Sequence, residues 1–161
     1  MVIKIKLLSV LQFMLIPLIM GCSLFNQTIE IEVPKGYIGW CYIIPVNENA
    51  ENLIKEDRGK YKIDSNGVAY LPANKMDKDE DIILKVYEGS FDITNQTRYS
   101  GKVESSNSLT VKRYYYLRFF LPTFDERRIE DGEQYWRDKN YRTDGQAKFD
   151  SLLKMGRIVF K

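Results

Sequence analysis

The feature that most constrains the fold is a strand-like segment whose side chains are apolar on both faces. In residues 37–46, YIGWCYIIPV, apolar residues occupy both sets of alternating positions. A strand of this kind has to be covered on both sides, because either face would otherwise expose apolar surface to water. The longest strand-like segment, LTVKRYYYLRFFL at 109–121, is aliphatic and aromatic on one face, while its other face mixes aromatic and basic residues. Together the two segments predict a layered, mainly β structure.

Three further segments have the composition of shorter strands. Residues 29–33 alternate Ile and Val with Glu, and residues 82–87 follow the same period of two. Residues 59–72 place strand-like residues on either side of Asn66-Gly67, and this dipeptide supplies the positive φ angles that a tight hairpin requires. Several short strands separated by turn residues predict an antiparallel β-sandwich of transthyretin-like or immunoglobulin-like type.

The chain changes character after Pro122. Residues 122–146 are densely charged, and Phe149, Leu152 and Leu153 then follow at the i, i+3 and i+4 spacing of a helix face. We predict a helix over about 146–155 that ends at Gly156. One sandwich domain over 29–161 therefore carries the charged segment and a short C-terminal helix.

The N-terminus has the pattern of a secretion signal. Lys4 and Lys6 precede an apolar run over 7–20 that contains Pro17, and the run is shorter than the roughly 20 residues a membrane-crossing helix needs. We predict a signal peptide over 1–21 and a tether over 22–28. A signal without lipidation and an uncleaved anchor remain the alternatives.

The junction Ile19-Met20-Gly21-Cys22 resembles the lipobox of bacterial lipoproteins. The resemblance implies that Cys22 is acylated, with palmitate among the chains, and becomes the mature N-terminus, so that the membrane is a partner through this lipid. In the enteric lipoproteins that the lipobox resembles, an aspartate after the cysteine favours retention at the inner membrane. This chain has Ser23 at that position. The resemblance therefore implies a cell-envelope location, at the outer membrane rather than the inner.

Two other stretches resemble known domains. YKIDSNGVAYLP at 61–72, followed by IILKVY at 82–87, is similar to the core of transthyretin-like, carboxypeptidase-regulatory sandwich domains. VPKGYIGW at 33–40, together with the lipobox, resembles small lipoprotein domains of Bacteroidota and some other bacteria. Both resemblances imply a β-sandwich, and neither implies a mechanism.

Composition argues against several classes of function. Of 24 basic side chains, Lys4 and Lys6 lie in the predicted leader, which leaves 22 basic against 22 acidic residues. A formally neutral domain gives no reason to expect nucleic acid as a partner. The absence of histidine excludes Ser-His-Asp and Cys-His catalysis, and we expect neither a cofactor nor an enzyme. Cys41 is predicted to be a buried thiol, or to pair with Cys22 if that residue is not lipidated.

The aromatic and basic face of 109–121 is the first candidate binding surface. Tyr114, Tyr116 and Arg118 follow one another at alternate positions, and Trp136 in the charged segment is a second candidate anchor. Such residues stack against sugars or anchor protein partners. The competing interpretation, which we favour, is that the C-terminal helix covers this face through Phe149, Leu152 and Leu153 and makes it part of the core.

Two acidic clusters suggest weaker alternatives. Asp77, Asp79 and Asp81 alternate as calcium ligands do, but Ile82 follows where a calcium loop has glycine, so a solvated loop is the competing interpretation. A hydrolase could use two facing carboxylates from the charged segment as its catalytic pair. A solvated surface segment would have the same acidic composition, so the pattern does not distinguish the two. The candidate acids are Asp125, Glu126, Glu130, Asp131 and Glu133. The favoured hypothesis is a non-catalytic module that binds an envelope protein or another surface component. The alternatives are a carbohydrate-binding module, for which the partner is a glycan, and a carboxylate-dependent hydrolase.

Overall fold

The computed structural model describes residues 27–76, 81–107, 112–128 and 141–158, which form two packed β-sheets and one helix. The first sheet has the order β3-β4-β1-β6-β7, with β1 at Gln27–Val33, β3 at Glu56–Asp57, β4 at Lys60–Lys62, β6 at Ile82–Glu88 and β7 at Phe91–Asp92. The second has the order β5-β2-β9-β8, with β2 at Gly39–Val46, β5 at Val68–Pro72, β8 at Arg98–Asn107 and β9 at Lys112–Leu121. Helix α1 spans Tyr141–Lys154, and short 3₁₀ helices lie at Glu48–Leu53, Ala73–Lys75, Thr94–Gln96 and Glu126–Arg128. The prediction of a mainly β sandwich with a C-terminal helix is confirmed.

Both sheets are mixed rather than wholly antiparallel. Strand β1 pairs in parallel with β4 and β6, and β2 pairs in parallel with β5, whereas β9 pairs antiparallel with both β2 and β8. The chain crosses to the opposite sheet after β1 and again after β4. The parallel pairs β1–β4 and β2–β5 therefore join strands that are not linked by a hairpin, whereas the hairpin-linked pairs β3–β4, β6–β7 and β8–β9 are antiparallel.

The main core fills the space between the sheets, and β2 contributes to it from one face only. Cys41 and Ile43 pack against Ile31 and Val86 of the first sheet. The opposite face of β2 carries Trp40, Tyr42 and Ile44, which pack under α1 in a second buried cluster. The prediction that this strand is covered on both sides is confirmed.

The hairpin predicted around Asn66-Gly67 is wrong. The turn itself is present: the Asp64 carboxylate accepts bonds from the backbone N–H groups of Asn66 and Val68, each at 2.9 Å. The strands on either side separate, however, because Ile63 N–H donates to Glu32 of β1, while Gly67 O accepts from Tyr42 of β2. Turn chemistry specifies a reversal of the chain, but it does not specify which neighbours the flanking strands pair with.

Helix α1 begins at Tyr141, five residues before the predicted start at 146. It includes Gly145, a residue that costs about 0.5–1 kcal/mol relative to Ala within a helix. A Cβ at this position would lie 2.6 Å from Trp40 Cε2, so glycine lets the helix backbone approach the indole. In the described part of the chain no helix combines the length and the apolar character that crossing a bilayer requires.

Candidate functional site

Helix α1 lies on the outer face of the second sheet and covers most of its aromatic residues. Phe149 is buried between two tyrosines, with its ring stacked at 4.2 Å and 8° on Tyr116 and tilted at 5.5 Å from Tyr42. Tyr42 Oη donates a 2.7 Å hydrogen bond to Gly145 O. Apolar packing and one buried hydrogen bond thus hold the helix on the sheet.

This arrangement changes the predicted ligand-contacting set. Tyr116 has no exposed surface, so a ligand cannot stack on its ring, and for Tyr116 the alternative of a covered face applies. Burial raises the pKa of its hydroxyl, with Arg118 acting in the opposite direction and Asp150 adding to the rise. Tyr116 is therefore a core residue, and its hydroxyl is the group of the side chain that can still form a hydrogen bond.

The other predicted site residues are placed as follows. Arg118 is half-buried on the same face of β9 as Tyr116. Asp81 is exposed, and within the described ranges no group of three or more acidic or cysteine side chains is arranged to hold a metal ion. The remaining predictions fall outside what is described, either entirely or at the side chain; these residues are Cys22, Asp77, Asp79, Tyr114, Glu130, Asp131, Glu133 and Trp136.

Of the acidic residues proposed for a hydrolase, Asp125 and Glu126 are described. Glu126 accepts hydrogen bonds from Thr123 N–H at 3.1 Å and Thr123 Oγ1 at 2.9 Å, and its own N–H donates to Thr123 Oγ1. This reciprocal pattern is a capping box at the start of a 3₁₀ turn. Glu126 therefore stabilises the loop after β9, and Asp125 beside it is exposed.

A second polar cluster, which the sequence did not reveal, joins α1 to the start of β2. Tyr37 Oη donates to Trp40 O at 2.8 Å, and Lys148 Nζ lies 3.4 Å from Tyr37 Oη and 3.5 Å from Trp40 O. The free thiol of Cys41 is buried next to this group. More than 100 residues separate Lys148 from its partners, so no local spacing could have indicated the cluster.

The pKa values in this cluster indicate a structural role. Burial raises the pKa of the Cys41 thiol and of the Tyr37 hydroxyl, so both stay protonated at neutral pH. Burial also lowers the pKa of Lys148, which Cys41 and Asp64 partly counteract. A neutral, fully buried thiol is a poor nucleophile, and the prediction that Cys41 is buried is confirmed.

The two ends of the sandwich differ in where the N-terminal segment enters. Strand β1 begins at Gln27 opposite Ile82 of β6 and finishes at Val33 opposite Glu88, so it crosses the sheet over about 20 Å. We call the end at Gln27 the near end and the end at Val33 the far end. Gly36 N–H donates to the Glu88 carboxylate, which places the link from β1 to β2 at the far end as well.

The far end carries three exposed large apolar side chains. Ile38 precedes β2 and is 54% exposed, Phe124 follows β9 and is 63% exposed, and Phe91 in β7 is 73% exposed. The segments that hold Ile38 and Phe124 are linked, since Arg127 donates from Nη2 to Tyr37 O at 3.1 Å and from Nε to Pro122 O at 3.0 Å. Large exposed apolar side chains at one end of a domain mark that end as a candidate interaction surface.

Polar cavities lie at both ends. One of about 440 Å³ at the near end is lined mainly by the 3₁₀ segments that follow β2 and β5, including Asn47, Glu51 and Asn74. Another, of about 270 Å³, lies beside the Arg58-Gly59 turn, with Glu32 and Lys60 in its wall. Both have charged or amide side chains in their walls, and neither includes an aromatic residue on which a sugar could stack.

Comparisons with known proteins add little to this geometry. No family model matches the chain, and no curated protein matches it. Among solved structures, a Bacillus anthracis protein provisionally described as a lipoprotein shares 12% identity, with a TM-score of 0.41 over 78% of this chain and 95% of the other. A likeness of this extent carries no argument about fold or function.

Proposed function

We propose that this chain is a lipid-anchored envelope domain that binds a protein partner through its far end. The observation that carries the proposal is the exposure of Ile38, Phe91 and Phe124 together at that end. Protein interfaces bury apolar and aromatic anchors of this kind at their centre. The lipobox at Ile19-Met20-Gly21-Cys22 supports the anchor, and Ser23 favours the outer membrane.

The direction of β1 indicates how the anchored domain would be oriented relative to the membrane. A lipid on Cys22 would join the domain at Gln27, at the near end of the sandwich, through residues 22–26. Five residues span at most about 17 Å, so the near end would stay close to the membrane. The far end would then point away from it, where a partner can approach without displacing lipid.

A protein partner is favoured over a glycan by the placement of the aromatic residues. The carbohydrate hypothesis relied on rings on the outer face of β9, and Tyr116 on that face is beneath α1. The exposed apolar residues at the far end include an aliphatic one, Ile38, which suits a protein interface better than a sugar ring.

Site-specific photo-crosslinking in native cells tests the proposal. A photoreactive amino acid at Ile38 or Phe124 is expected to capture one partner of the same mass, whereas the same probe at Glu51 or Lys75 is not. Glu51 and Lys75 are exposed and belong to the near-end 3₁₀ segments, so they are matched controls for surface accessibility.

Competition distinguishes a specific partner from chance collisions. Excess unlabelled chain should remove the crosslinked product, and chain carrying Ile38→Asp should not, because a charge at the interface centre is costly. Equal capture at the two ends, or competition by both chains alike, would contradict a far-end binding surface.

A further inference from the structure

Arg118 occupies a position on β9 between a tyrosine and a glycine. In the register of the second sheet it pairs with Tyr42 of β2 on one side and with Gly101 of β8 on the other. Paired residues share a face, so all three belong to the face that α1 covers. The row therefore has a large ring on one side of Arg118 and no side chain on the other.

Two side chains on this face of β9, Arg118 and Tyr116, carry buried polar atoms. The Arg118 guanidinium lies 5.1 Å from the centre of the Trp40 ring, and its Nη1 atom is buried. Neither Nη1 nor the buried hydroxyl of Tyr116 has a hydrogen-bond partner within the described part of the chain. Buried donors are nearly always satisfied, and a guanidinium offers five N–H groups, so a ligand or a water molecule can bind these two atoms.

The glycine side of the row has open space next to Gly101. Gly101 is exposed, and a Cβ built on it would have no heavy atom within 4 Å. The pairing of β8 with β9 is also irregular between Arg98 and Gly101. A glycine within a strand next to such an irregularity leaves space where a small group can approach the neighbouring strand.

We propose that Arg118 and Tyr116 form a binding site for the carboxylate group of a small ligand, which enters beside Gly101. The planar guanidinium matches a carboxylate in a two-bond geometry, and the tyrosine hydroxyl supplies a third donor. Asp150 of α1 is close enough to raise the pKa of Tyr116, and its charge opposes a doubly charged phosphate more strongly than a singly charged carboxylate. This site does not depend on the lipid anchor or on the far-end surface.

Titration of the full chain in detergent, followed by ¹⁵N NMR, tests the site with acetate and glucuronate as probes. We expect saturable shifts of the Gly101 amide and the Arg118 side chain with both carboxylates, at constant ionic strength. Glucose and chloride should leave both signals in place, and phosphate should bind less tightly than acetate.

Two variants and one control separate the site from general charge effects. Arg118→Lys keeps the charge but loses the planar pair of donors, so we expect binding at least about tenfold weaker. Tyr116→Phe removes only the hydroxyl, and we expect a loss of about threefold to tenfold. Arg127→Lys, at an arginine that donates to backbone carbonyls, should bind acetate as the wild type does.

Three results would each contradict the proposal. The first is the absence of a saturable shift in the wild type at an acetate concentration about 50-fold above the roughly millimolar dissociation constant expected for a small carboxylate. The second is an equal shift with chloride, and the third is unchanged binding in both site variants. If Arg118→Lys does not fold, as its amide spectrum would show, Tyr116→Phe alone decides, and unchanged binding there overturns the proposal.

Discussion

Replacing Phe149 with alanine is expected to lower the free energy of unfolding by about 3–5 kcal/mol. The Phe149 side chain is 1% exposed, and its ring stacks on Tyr116 and contacts Tyr42. The substitution leaves a cavity between α1 and the second sheet, and neither tyrosine can move far because both lie in strands. Such a loss is a large part of the 5–15 kcal/mol that a typical domain has in total.

Urea unfolding monitored by circular dichroism measures this loss. Met155→Ala, one residue beyond the end of α1 at a 62% exposed side chain, is the control and should cost less than about 0.5 kcal/mol. If the two variants lost the same free energy of unfolding, α1 would not pack on the second sheet, and this would contradict the burial of that face beneath the helix.

Gly67→Ala is expected to cost about 3 kcal/mol or more. Gly67 has φ +86°, where an alanine is strained by about 1–2 kcal/mol. Its Cβ would also overlap Tyr37 Oη and the backbone oxygen of Trp40, and the backbone oxygen cannot move aside without breaking the start of β2. Overpacking of this kind adds about 1–3 kcal/mol.

The difference between Gly67→Ala and Gly59→Ala isolates the steric part of that effect. Gly59 has a similar φ of +82°, but nothing lies within 4 Å of its Cβ position, so only the backbone strain of about 1–2 kcal/mol is expected. Unfolding of the two variants by urea under the same conditions compares them directly. If both lose the same stability, the close approach of the 64–67 turn to Tyr37 and Trp40 does not exist in solution.

The sequence predicted the strands of the core well because burial leaves a periodic pattern along the chain, but β8 at Arg98–Asn107 was not predicted. The continuous apolar run at 37–46 has two buried faces in the structure, as β2 lies between the first sheet and α1. Residues 29–33 form the one-sided strand β1, whose Ile29, Ile31 and Val33 face the core. In both cases, alternation within one segment contained the information required.

Pairing between strands was predicted less well, because it depends on distant residues. The Asn66-Gly67 turn is compatible with a hairpin and also with a crossing between sheets, and contacts to Glu32 and Tyr42 decide between them. The start of α1 was missed for a related reason. Gly145 disfavours a helix locally, and only its contact with Trp40 explains why a glycine lies there.

The candidate site was also predicted only where the information lies within one segment. Arg118 was identified from its position among aromatic residues, but whether that face is open or covered depends on α1, which the strand pattern does not locate. Gly101 was missed because β8 was not predicted as a strand, and a glycine indicates an irregular pairing or a close approach only once it is placed within a strand. Its position beside Arg118 requires the register of β8 against β9.

The mass of the N-terminal peptide, from protein extracted out of native membranes, tests the proposed anchor most directly. A far end that points away from the membrane requires attachment through Cys22, next to the near end of the sandwich. We predict a peptide that begins at Cys22 and carries the added mass of acyl chains. A peptide that begins elsewhere, or an unmodified Cys22, would contradict the lipid anchor and the orientation that follows from it.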